Sequence, residues 1–131
     1  MRVVLDTNVL LAAFATRGLC EAIFAVCLQS HEIIASEVIF SEVRRHLSGK
    51  FKMPTAQVQS LLEFLREHSQ IAEPAHVSSD SCRDPKDLPI LGTALADKVD
   101  CLVSGDEDLL MLGQFNGIPI LSPRTFYEKL L

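Results

Sequence analysis

The run Arg2-Val3-Val4-Leu5 is short, apolar and β-branched, and it stops abruptly at Asp6, which is followed by Thr7 and Asn8. Such a run suits a strand buried on both faces of a parallel sheet. A carboxylate has no use at the end of that strand unless something positive waits there. Cys101-Leu102-Val103-Ser104-Gly105-Asp106-Glu107-Asp108 repeats the order of apolar strand, small polar residue, acid. Open α/β sheets carry their chemistry at the carboxyl ends of their strands. Two acids delivered to that edge make a metal-dependent site the leading expectation.

Between these segments the pattern alternates. Strands are expected at Arg2–Leu5, Glu32–Ala35, Gln70–Ala72, Cys101–Ser104 and Ile118–Leu121. Helical spacing predicts Gly18–Gln29, a helix from a Ser36 cap to about Leu47 closed by Gly49, and Ala56–His68 capped by Thr55. It also predicts Asp87–Val99, Asp106–Gln114 and a last helix opened by Pro123, with Glu73–Lys86 as a polar loop. Strands alternating with helices imply a three-layer α/β/α sandwich around a mainly parallel sheet. With no repeat and no linker, residues 1–131 read as a single domain.

Nearly half the residues are apolar (48%), which excludes a disordered chain. The net charge of −5 argues against a nucleic-acid partner only if the acids are spread out. If they gather in one site, the remaining surface is close to neutral. Cys20, Cys27, Cys82 and Cys101 show neither a C-x-x-C pair nor zinc-ligand spacing to histidine, so reduced, mostly buried thiols are expected. No signal peptide or membrane-length apolar run is visible, and a cytoplasmic protein without a membrane partner is expected.

Each acid also has an ordinary explanation. Asp6 can cap a turn, and Asp106 and Asp87 stand where helix caps stand. Glu42 lies mid-helix, where most glutamates are solvated. Asp108 suits a first helical turn and Asp84 a turn before proline. The arrangement says more than any single residue. Gathered carboxylates repel one another and raise each other's pKa unless a cation neutralises them. Mg²⁺ and Mn²⁺ favour carboxylate and water oxygens and suit attack on a phosphodiester.

Four segments resemble motifs of the PIN domain family, in particular its small bacterial toxin-like, VapC-like members. They are Val4-Leu5-Asp6-Thr7-Asn8-Val9-Leu10, Ser41-Glu42-Val43-Arg44-Arg45-His46-Leu47, Asp87-Leu88-Pro89-Ile90-Leu91-Gly92-Thr93-Ala94, and Val103-Ser104-Gly105-Asp106-Glu107-Asp108-Leu109-Leu110. The resemblance implies a PIN-like fold and a ribonuclease dependent on Mg²⁺ or Mn²⁺, with Asp6, Glu42, Asp87 and Asp106 as the acidic set and Asp108 as a further ligand. It implies that Asn8 and Ser104 orient ligands or water, and Asp84 is a further supporting acid. It also implies the toxin half of a toxin–antitoxin pair, a homodimer held inactive by a cognate antitoxin. Ser104 replaces the commoner threonine and keeps the hydroxyl. Arg44 and Arg45, just past Glu42, are the best candidates for RNA backbone contacts, although a solvated helix end explains basic residues there too. His31, His46, His68 and His76 carry no motif and read as surface residues. The alternative is a PIN-like module that binds RNA or a protein without cutting. The haloacid-dehalogenase pattern fails at Asn8, where it wants a second aspartate, and no receiver-domain set is evident.

Overall fold

The computed structural model describes residues 1–130. At its centre β1 (Arg2–Leu5) is buried along nearly its whole length, as its β-branched composition requires. β2 (Glu32–Ala35) and β3 (Ser69–Ile71) follow on one side of it. On the other side lie β4 (Cys101–Val103), then β6 (Ile118–Leu121), with β5 (Gln114–Phe115) at the edge. The order is β3-β2-β1-β4-β6-β5, parallel throughout except for the antiparallel β5–β6 pair.

The winding reverses at β1, and open α/β sheets leave a crevice at such a switch point, beyond the carboxyl ends of the strands. Leu5 pairs with Val103, and the Asp6 N–H donates to the Val103 carbonyl at 2.9 Å. The residues that follow β1 and β4 are therefore neighbours in space.

Helices flank the sheet, giving the expected α/β/α sandwich: α1 (Thr7–Ala15), α2 (Leu19–Ser30), α3 (Glu37–Gly49), α4 (Thr55–Glu67), α5 (Leu88–Ala96), α6 (Glu107–Leu110) and α7 (Pro123–Leu130). A 3₁₀ turn, Pro85–Asp87, leads into α5. α1 packs on α2 and α3, α3 on α4, and α5 on β1 and β2. Leu5, Leu10, Ile23, Ile34, Leu91, Leu102 and Phe126 are sealed in the core. Gly92 of α5 lies so close to the 73–86 loop that a Cβ there would sit 2.4 Å from the Ala75 carbonyl oxygen. The Ala75 N–H donates to the Gly92 carbonyl at 3.0 Å, pinning the loop that delivers Asp84 and Asp87.

The structure differs from the sequence reading at several places, and the helix expected over Asp87–Val99 spans only Leu88–Ala96. α1 was not anticipated: it starts directly after β1, capped by Asp6. The helix expected to reach Gln114 ends at Leu110, and β5 and β6 form a hairpin through Asn116-Gly117, both at positive φ (50° and 84°), as a tight primed turn requires. Thr55 is the first residue of α4 rather than its cap, which is Pro54. Ser36 does occupy the cap position of α3, but its hydroxyl hydrogen-bonds the Thr93 hydroxyl at 2.9 Å instead. The four cysteines are free. Burial pushes the Cys27 thiol up to about 11 and that of Cys101 to about 12, which keeps both protonated. Among the described residues no single helix is long and apolar enough to cross a membrane.

Candidate active site

Asp6 is held by three donors. As the cap of α1, its Oδ1 accepts from the Thr7 N–H at 2.7 Å. Its Oδ2 accepts from the Ser104 hydroxyl at 2.7 Å and from Asn8 Nδ2 at 3.0 Å. The capping explanation thus accounts for one oxygen only. Ser104, fully buried after β4, also accepts from the Asp106 N–H at 2.9 Å, and Asn8 Oδ1 accepts from the Gly105 N–H at 2.9 Å. Ser104 and Asn8 therefore stitch the ends of β1 and β4 together.

The other acids arrive from three elements. Glu42 is half-buried on α3, and its Oε2 accepts from the Thr7 hydroxyl at 3.0 Å. Asp87 ends the 3₁₀ turn and is buried, and its Oδ2 has no hydrogen-bond partner. Asp84 caps that turn by accepting from the Lys86 N–H at 3.0 Å. Asp106 caps α6 by accepting from the Asp108 N–H at 2.8 Å.

These side chains converge. Asp6, Glu42, Asp84, Asp87 and Asp106 line one cavity of about 210 Å³ at the carboxyl edge of the sheet, together with Asn8. Carboxylate oxygens of Asp87, Asp106 and Asp108 lie within 4.8 Å of one another, and Asp108 also faces Arg83 at 3.9 Å. Arg45 lines the cavity but Arg44 does not; Arg44 borders a separate hollow with Ser48, Thr55 and Val58. Four further residues line the cavity that the sequence reading did not assign to a site: Thr7, Leu11, His46 and Lys86. The His46 Nδ1 lies 2.8 Å from the Glu42 carbonyl, which can only accept, so Nδ1 carries the hydrogen. Its position four residues past Glu42, on the same helical face, was a usable signal.

Burial and mutual repulsion set the electrostatics. The Asp6 carboxyl is raised chiefly by burial, opposed by the Ser104 hydroxyl and the Thr7 N–H, and raised again by the charges of Asp106 and Glu42. Asp87 is pushed up to about 7 by burial, then by Asp106, Asp6, Asp84 and Asp108. A buried oxygen without a donor, facing a ring of like charges, is a poor arrangement for an empty cup and a good one for a cation. The donors are all carboxylate oxygens, which suits a hard divalent ion such as Mg²⁺ or Mn²⁺. Asp6, Glu42, Asp87, Asp106 and Asp108 are the residues that could hold it.

Fold and site together define a class: a small α/β/α domain with a carboxylate cup at the switch point of its sheet. The model of the PIN domain family matches residues 2–108, and the chain belongs to that family. The matched stretch contains every acid of the cup. Among solved structures, the chain is similar to one in the crystal structure of VapBC2 from Rickettsia felis bound to a DNA fragment from their promoter. The two share 16% identity with a TM-score of 0.66, over 93% of this chain and 98% of that one. At that identity the likeness is one of fold. No curated protein sequence matches the chain.

Proposed function

We propose that the protein is a divalent-metal-dependent ribonuclease that hydrolyses RNA phosphodiester bonds. The observation that carries this reading is the convergence of the carboxylates around the unpartnered Asp87 Oδ2. PIN family membership supports nuclease chemistry over the many other uses of an α/β sheet. A bound Mg²⁺ or Mn²⁺ supplies Lewis acidity, activating water and offsetting charge that develops on the phosphate.

The chain's own residues prepare that chemistry. Asp6, central in the cup, presents its carboxylate in one orientation because Thr7, Asn8 and Ser104 fix both oxygens. Thr7 steadies Glu42 through its hydroxyl. Ser104 ties the Asp106 backbone to the same point, so the two strand ends keep their separation. Asp87, Asp106 and Asp108 complete the ligand set, with Asp84 in support.

The likeness to the VapBC2 chain supports a second element of the proposal. The protein is the toxin of a toxin–antitoxin pair, acts as a homodimer in the cytoplasm and is restrained by a cognate antitoxin. The test is cleavage of single-stranded RNA by purified protein. Mn²⁺ should support it, EDTA should stop it, and Asp6→Asn should remove at least two orders of magnitude while leaving the circular dichroism spectrum unchanged. Cleavage that persists in Asp6→Asn would refute the assignment. Metal-independent RNA binding without turnover would instead favour a non-catalytic module.

A further inference from the structure

Two more hollows follow the acidic cup along α3; the first adjoins the cup and the second adjoins the first. The first is bordered by Glu37, Val38 and Ser41 and shares Glu42 and Arg45 with the cup. The second lies between α3, the start of α5 and residues 73–77. It shares Val38 with the first and is walled mainly by Pro74, Val77, Leu88 and Pro89. Val38, Glu42 and Arg45 stand at i, i+4 and i+7 on one face of α3, a span of ~10 Å. The three hollows thus form one trough that opens into the cup.

We infer that this trough seats the single-stranded RNA beside the phosphate in the cup, with Arg45 on a neighbouring phosphate and the Val38–Pro89 floor under a base. The inference rests on the RNA-cleaving function proposed above. Asp6 and Asp87 are buried, so a target phosphate must descend into the cavity, which a flexible single strand does more readily than a stiff duplex. Unpaired bases expose apolar faces, and the trough away from the cup is largely apolar. With a divalent ion offsetting the acids of the cup, the basic residues at its rim suit a polyanion. Arg45 is exposed at the junction and Lys86 stands on the 3₁₀ turn. Glu37, farther along, is neutralised by a two-armed ion pair with Arg66, leaving Glu73 as the acid of the distal wall. Arg44 carries the same charge as Arg45 one residue earlier, but it borders the α4 side of the helix.

That difference supplies the test. Binding of a fluorescein-labelled, mixed-sequence single-stranded RNA to the full chain is measured by anisotropy in Ca²⁺ over a range of salt concentrations. Arg45→Ala should weaken binding about tenfold, as loss of a charge-assisted phosphate contact does. It should also flatten the slope of log affinity against log salt by about 0.7. Arg44→Ala removes equal charge and should change affinity by less than about twofold. Ser41→Glu puts an acid on the exposed trough wall and should weaken binding comparably to Arg45→Ala. Ser48→Glu, on the same helix beside Arg44, should not. Equal effects of the two arginines, or an inert Ser41→Glu, overturn the trough even if the wild-type protein cleaves RNA. The expected pattern in a protein that binds but never cleaves keeps the trough and removes the nuclease. Wild-type protein that does not bind RNA overturns both.

Discussion

Asp87 provides the sharpest thermodynamic test of the cup. Its carboxyl is pushed from the ordinary 3.8 to about 7 by burial and by the surrounding acids. The native state therefore holds a proton that the unfolded chain has released between about pH 4 and pH 7, and stability contributed at this residue falls as pH rises through that window. From about pH 5 to about pH 7 the ceiling is ~2.7 kcal/mol, at 1.36 kcal/mol per unit. Water reaching the open mouth of the cavity and added salt lower it, so about 1–2 kcal/mol is expected. Asp87→Asn keeps the shape and removes the charge. In EDTA, urea unfolding at about pH 5 and about pH 8 should show the wild type losing that amount relative to the variant. Adding Mn²⁺ at the higher pH should reverse the order, because an ion at a hundred times its Kd stabilises by ~2.7 kcal/mol and the variant has lost a ligand. A gap between wild type and variant that does not change with pH would refute the electrostatic account, and with it the reason for a cation at this place.

Ser104→Ala should cost about 1–3 kcal/mol, since it removes the donor to buried Asp6 and the acceptor for the Asp106 N–H. The proposed RNA cleavage should fall with it, and Ser104→Thr, which keeps the hydroxyl, should retain more of both. Gly92→Ala drives a Cβ against the Ala75 carbonyl and should destabilise by about 1–3 kcal/mol in thermal melting. Because that contact pins the loop carrying Asp84 and Asp87, metal affinity measured by calorimetry should also drop. Leu10→Ala opens a hole beneath α1 and should cost about 2–5 kcal/mol by urea unfolding at constant pH.

The parallel sheet was legible in the sequence because residues 3–5, 33–35 and 101–103 of β1, β2 and β4 are buried and read as unbroken apolar runs. α1 was not, for the same reason. Thr7–Ala15 is apolar on nearly every side, with Val9, Leu10 and Ala13 buried, so no polar face marks the helical period. Asn116-Gly117 is a strong hairpin dipeptide, but β5 has only two residues, too few for alternation to register. The acids could be named from their motif surroundings, whereas their meeting required the reversal of winding at β1. Arg44 and Arg45 are indistinguishable in sequence. Consecutive helical residues point about 100° apart, and only the packing of α3 on α4 decides which of them faces the cup.

The strand order also has a consequence during synthesis. β1, β2 and β3 can align once the chain has been made to Ile71, but the second edge of β1 must wait for Cys101–Val103. A nascent chain on the ribosome therefore carries a bare hydrophobic edge at Val3, Val4 and Leu5, the kind of edge that recruits foreign strands. Asp106 emerges only after those closing residues, so a half-made polypeptide exposes its edge before its acidic cup is complete. A chaperone that shields that edge would be guarding a chain whose carboxylates have not yet been brought together.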